Sequence, residues 1–217
     1  MENTTLSFFL VCFTAFFTII NPLGVMPVFM TMTTDLDDRT RSKTAQKAIL
    51  VSFITLILFA FSGEVLFNFF GISVSSFRVV GGIIFFMVGF DMLQARLQRT
   101  KVPSKEIDEY VGDISVTPLA IPMITGPGAI TNAIVLMEQA DGTGQKLALF
   151  GAMAAVMLIV LVILLSASRI IKVLGQTGNK ILMRLMGLIV MVIAVEFFLS
   201  GIKPIIVDIV QLVNSGG

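Results

Sequence analysis

Apolar runs of about 20 residues, divided by short polar stretches, recur along the whole chain, and each is long enough to cross a bilayer as a helix. The pattern predicts six spans, at roughly 6–32, 46–68, 77–95, 114–138, 146–168 and 182–203. Two of them are interrupted. The first contains Thr18-Ile19-Ile20-Asn21-Pro22-Leu23-Gly24-Val25-Met26-Pro27, and the fourth contains Pro118-Leu119-Ala120-Ile121-Pro122-Met123-Ile124-Thr125-Gly126-Pro127-Gly128. Proline removes a backbone donor and disfavours helix at the residue before it, so each span is predicted to split into two half-helices. Unpaired backbone groups are costly in lipid, and such breaks persist only where protein or a polar cavity receives them.

The interruptions belong to a weak internal repeat. Phe77-Arg78-Val79-Val80-Gly81 opens the third span and Met183-Arg184-Leu185-Met186-Gly187 the sixth. Pro22 precedes Arg78 by 56 residues, and Pro127 precedes Arg184 by 57. Each unit holds three spans, an odd number, so two copies must lie in opposite orientations, as in inverted-repeat secondary transporters. The predicted fold is therefore all-α: residues 1–97 form the first three-helix repeat, 98–113 a polar cytoplasmic linker, and 114–217 the second, inverted repeat. Helices 1 and 4 would break near the bilayer midplane, where such transporters bind substrate.

Composition narrows the class further. Hydrophobic residues make up 56% of the chain and charged ones 13%, with a mean hydropathy of +0.96, which excludes an ordinary soluble domain. The net charge of +1 argues against a nucleic-acid partner, and a chain with no histidine and one cysteine, Cys12, offers no metal cluster or internal disulfide. The first span is too long for a cleaved signal peptide and lacks a basic start. Twelve of the 15 basic residues fall in or beside the connections after spans one, three and five; Arg78, Lys146 and Lys203 fall on the other side. The positive-inside rule then puts those connections in the cytoplasm and both termini outside a cell membrane. The charge runs themselves read as solvated loops.

At the breaks, Asn21 is a favoured N-cap and Pro22 suits the first helical position. Thr125 and Gly126 are expected to cap the second half-helix of span four in the same way, ahead of Pro127 and Gly128. Two such N-termini, approaching from opposite sides, present positive dipole ends and free N–H donors suited to a carboxylate. The carbonyls of Thr18 to Ile20 and of Ile121 to Ile124, around Pro122, suit an ammonium group. A small amino acid carries both charges close together. The competing reading is that these prolines only kink helices, and that Gly24 and Gly128 only let helices pack closely.

Few ionisable groups lie inside the spans. Glu196, well within span six, reads as a proton carrier or as a hydrogen-bond partner for a neighbouring helix. Glu64 and Asp91 lie nearer span ends and read as structural, and Arg78 and Arg184 read as interfacial anchors. No paired catalytic acids, Ser/Lys dyad or ATP-binding motif stands in the chain, which argues against an enzyme and against cofactors.

These motifs together resemble the MarC family of six-span membrane proteins: Asn21-Pro22-Leu23-Gly24 with Pro27, Pro118-Leu119-Ala120-Ile121-Pro122 with Gly126-Pro127-Gly128, and Arg184-Leu185-Met186-Gly187. The resemblance covers essentially the whole chain. It implies a transporter of the SnatA type, moving small neutral amino acids such as glycine and alanine with proton coupling. It maps Asn21, Pro22, Thr125, Gly126, Pro127 and Gly128 onto the family's broken-helix motifs. The family pattern has Gln where this chain has Glu196, which weakens that residue as a coupling site. The rivals are an exporter or channel for another small solute, and a non-transport membrane assembly protein. Small residues such as Gly151 and Ala155 can serve contacts within or between protomers, leaving a homo-oligomer open.

Overall fold

The computed structural model describes residues 2–33, 36–94, 112 and 114–215. Those residues form helices and no strand: α1 (Glu2–Ile20), α2 (Pro22–Met32), α3 (Asp38–Phe70), α4 (Val74–Leu93), α5 (Ser115–Ile124), α6 (Pro127–Gln139) and α7 (Gly142–Ser215). The linker 98–113 lies outside the described residues apart from Gly112.

Five helical stretches are long and apolar enough to cross a membrane, and the pair α5–α6, bent by 58°, makes a sixth if it is one span. The two breaks differ in kind. α1 and α2 run on as one candidate span, Thr4–Met32, interrupted by Asn21 alone. α5 is not one regular helix: Thr117 and Ile121, each before a proline, are extended (φ −129° and −125°) and interrupt its winding. α7 would be about 110 Å long if straight, far more than the roughly 30 Å hydrocarbon core. Gly175, at φ 63° and ψ −178°, divides it into 142–174 and 176–215, each long enough to cross once.

Local chemistry sets the other ends. α3 starts at Asp38, before the apolar run begins, because Asp37 caps it by accepting from the amides of Arg39 and Thr40. The Thr40 side chain, helped by these amides, holds the Asp37 carboxyl below its ordinary range. Gly71 ends α3 in the left-handed conformation, and Ser73 caps α4 through the Ser76 amide. One expectation about the connections needs correcting. Arg41 is not merely a solvated loop charge: its guanidinium donates to the carbonyls of Thr33 and Leu36, both at 2.9 Å, and pairs with Asp38. Its planar fork satisfies carbonyls left over between α2 and α3.

The main core joins α1, α2, α3, α6 and the first half of α7, with Phe16, Phe29, Leu56, Ile134 and Met153 among its buried residues. α4 packs instead against the second half of α7, and does so backbone to backbone. A Cβ on Gly201 would lie 2.6 Å from the Ser75 carbonyl oxygen, one on Gly82 2.8 Å from that of Ala194, and one on Gly187 2.7 Å from that of Gly89. Successive contacts are two helical turns apart on each helix and run antiparallel, so small residues bring α4 and α7 together over most of the length of α4.

Candidate functional site

Asn21 is the one non-glycine residue with positive φ among the described residues (φ 48°, ψ 71°). Its amide donates to Phe17 at 3.1 Å, ending α1, and its carbonyl accepts from Gly24 (2.8 Å) and Val25 (3.2 Å), starting α2. Its side-chain Oδ1 also accepts from the Gly24 amide at 3.2 Å, so the predicted N-cap forms. The consequence for chemistry differs from the expectation. Asn21 itself takes the Gly24 and Val25 amides, and the polar atom left over is its Nδ2, which is buried and has no hydrogen-bond partner. A buried donor without a partner costs about 1–3 kcal/mol, and such a group marks a place for a ligand or water.

Gly24 is required by this arrangement. A Cβ there would lie 2.6 Å from Asn21 Nδ2, so only glycine lets the carboxamide fold over the first turn of α2. Beside Asn21 lies a cavity of about 30 Å³, room for a water molecule or two. Ile20, Asn21, Gly24, Phe85, Met123 and Ile193 are among its lining residues, and Asn21 is the one polar side chain in that lining. On the side toward Thr33, Met92 and Met123 pack with Val28 and Met183 into a small cluster. Just beyond it, Asn179 Nδ2 donates to Thr31 Oγ1 at 3.3 Å, tying the end of α2 to α7.

The second break does not copy the first. Thr125 does not cap α6: its hydroxyl donates to the Ala120 carbonyl at 2.6 Å, and its amide donates to the same oxygen at 2.8 Å. The i to i+5 bond of the Thr125 amide brings that carbonyl within reach of the hydroxyl too, so the hydroxyl closes α5 and does not open α6. Gly126, in extended conformation (φ −70°, ψ 171°), precedes α6 with no side-chain cap. A Cβ on Gly126 would run into the Phe85 ring, and one on Gly128 would lie 2.9 Å from Ile19. Pro127 packs against Gly81 of α4.

Phe85 and Ile19 also line the cavity at Asn21, so the two breaks share these two side chains as neighbours. Ile20, Asn21 and Gly24 are thus at the cavity, and Gly126 and Gly128 stand behind its Phe85 and Ile19 wall. Pro22, Thr125 and Pro127 are buried beside the breaks, and Pro122 is half-buried. Thr18 is exposed on the outside of α1, and Glu196 is exposed on α7 and is not among the residues lining the cavity, although Ile193, one turn before it, is. Sequence reasoning missed Phe85, Met123 and Ile193, because an apolar residue in an apolar helix carries no mark of the cavity it faces. Among the described residues no group of acids and cysteine is placed to hold a metal.

The model of MarC family integral membrane proteins matches residues 6–206, nearly the full chain. The chain belongs to the MarC family. It is 36% identical over 200 residues to a UPF0056 membrane protein of Methanocaldococcus jannaschii, covering 91% of this chain and 97% of that one. It is 35% identical over 195 residues to the UPF0056 membrane protein YhcE of Escherichia coli, covering 89% and 91% respectively. No solved structure matches it. This MarC protein is thus an integral, multi-pass membrane protein whose breaks and cavity lie within the region that the family shares.

Proposed function

We propose that this MarC protein is a secondary transporter of small neutral amino acids, glycine and alanine foremost, coupled to protons and residing in the cell membrane. The observation that carries the reading is the unpartnered Nδ2 of Asn21, buried at a cavity between two broken helices. A carboxylate accepting from Nδ2 would satisfy that donor, and the apolar lining leaves room only for a short side chain. The cavity is smaller than alanine, so substrate entry requires helices to move. Alternating access supplies such a motion.

The close α4–α7 contact bears on which parts move. Gly82, Gly89, Gly187 and Gly201 leave no slack between those helices, so α4 and residues 176–215 of α7 travel as one body against the rest. That partition differs from two repeats rocking as units. The Met92, Met123 and Met183 cluster would close the cytoplasmic exit, and unbranched methionine side chains repack at low cost. Glu196, which does not line the cavity, is not assigned the coupling role.

Uptake of labelled glycine and alanine into proteoliposomes, with and without an imposed pH gradient, tests the proposal. Saturable uptake that the gradient accelerates, and that Asn21→Ala reduces at least tenfold, is expected. No uptake above empty liposomes by folded protein would defeat the amino acid reading.

A further inference from the structure

Arg78 and Arg184 hold corresponding places in the internal repeat, yet they differ in setting. Arg184 is exposed on α7, whereas Arg78 is half-buried, and its Nε is buried without a hydrogen-bond partner. Among the described residues no acid pairs with it. An arginine stays charged at any ordinary pH, so a guanidinium left in this state between helices calls for an anion. Arg78 also stands on the stripe of α4 that lines the cavity. It is two turns before Phe85, within about 20° of it round the helix and about 10 Å along it. α7 runs beside this stripe: Ile193 lines the cavity, Phe197 is one turn further on, and Gly201 one more, where a Cβ would lie 2.9 Å from Arg78 Cβ. At the level between the cavity and Arg78, Phe197 fills the gap. A Cβ on Gly81 would lie 2.9 Å from its ring and one on Gly128 3.5 Å from it, so the ring is seated between α4 and α6.

We propose that Arg78 is the outer docking residue of the transport path: it takes the solute's carboxylate at the mouth and releases it to Asn21 when Phe197 gives way. This rests on the transport reading above and names how a solute is recognised on its way in. The fork of Arg78 can meet a carboxylate with two parallel charge-assisted bonds, one of them from the unpartnered Nε. Water at the mouth keeps that contact weak enough to release, while the dry cavity strengthens the neutral bond from Asn21 Nδ2. Because Phe197 sits between the α4–α7 pair and α6, parting α6 from that pair opens the way between the two sites.

The test uses the unsubstituted protein in right-side-out membrane vesicles and a charged, arginine-selective phenylglyoxal added outside. By the charge rule Arg78 is the one arginine on that side, and peptide mass spectrometry reads its modification. Near-saturating glycine is expected to slow that modification about tenfold. Acetate, which keeps the carboxylate, should also slow it, and glycinamide, which lacks one, should not. In uptake, Arg78→Gln should raise the KM for external glycine about tenfold and change the maximal rate far less, with Arg78→Lys between the two. An Arg78 that the reagent does not reach, or that glycine leaves unprotected, overturns the proposal, as does equal protection by glycinamide. Modification slowed by anionic lipid alone also overturns it, since Arg78 then pairs with phosphate head groups. Protection without any uptake would defeat the transport reading and keep the docking site. Uptake with an unchanged KM in Arg78→Gln would do the opposite.

Discussion

Asn21 does two jobs that can be separated by substitution. Its left-handed backbone costs about 1–2 kcal/mol for a residue with a Cβ, and its Oδ1 caps α2. Alanine there keeps the strain and loses the cap, whereas glycine relieves the strain and costs only a few tenths as a cap. Asn21→Gly is therefore expected to melt within a few degrees of the unsubstituted protein in detergent, and Asn21→Ala several degrees lower. Both should lose substrate uptake alike, because both lack Nδ2. Retained uptake in Asn21→Gly would show that the carboxamide shapes the helix and does not meet the solute. That Asn21 caps a helix opened by Pro22 was legible in the sequence. That the carboxamide folds back over Gly24, leaving one buried donor at a cavity, was not. It depends on a φ that asparagine tolerates but does not dictate.

Among the elements, the two breaks show how far local rules reach. The N-cap preference predicted the start of α2, and the extended Thr117 and Ile121 follow the same rule about the residue before proline that predicted a split in span four. The Thr125 hydroxyl went the other way, because the end of α5 offers it the Ala120 carbonyl at 2.6 Å. A hydroxyl takes whichever backbone partner the surrounding turn presents. The glycines of α4 and α7 are legible as small residues, but their pairing needs both helices in place. Gly187→Ala tests it, since the new Cβ would lie 2.7 Å from both the Gly89 carbonyl oxygen and the Leu93 amide nitrogen. Backbone cannot swing aside as a side chain can, so the helices must part, at a cost of about 1–3 kcal/mol. A lower melting temperature together with reduced uptake is expected. An unchanged melting temperature would mean that the contact is looser than described.

For the molecule as a whole, orientation can be checked directly. Thr143→Cys, near the start of α7, should react with a membrane-impermeant maleimide added outside intact cells, and Thr177→Cys, just past the Gly175 break, only after permeabilisation. The reverse pattern would invert the assignment of both termini to the outside. The buried Cys12 leaves the background clean. Hydrophobic run length and proline position by themselves determined that this is a helical membrane protein with six apolar segments, two of them broken. They did so because the bilayer acts on each segment separately: it demands about 20 apolar residues and internally satisfied backbone, whatever the neighbours. Only the tertiary structure decided that Phe85 and Ile19 stand between the two breaks, that α4 zips to the far half of α7, that Arg41 is a half-buried clamp, and that Glu196 faces outward. Each of those depends on which face of a uniformly apolar helix meets which neighbour. With lipid as apolar as the core, the hydrophobic pattern that marks the inner face of a soluble helix is missing from these segments.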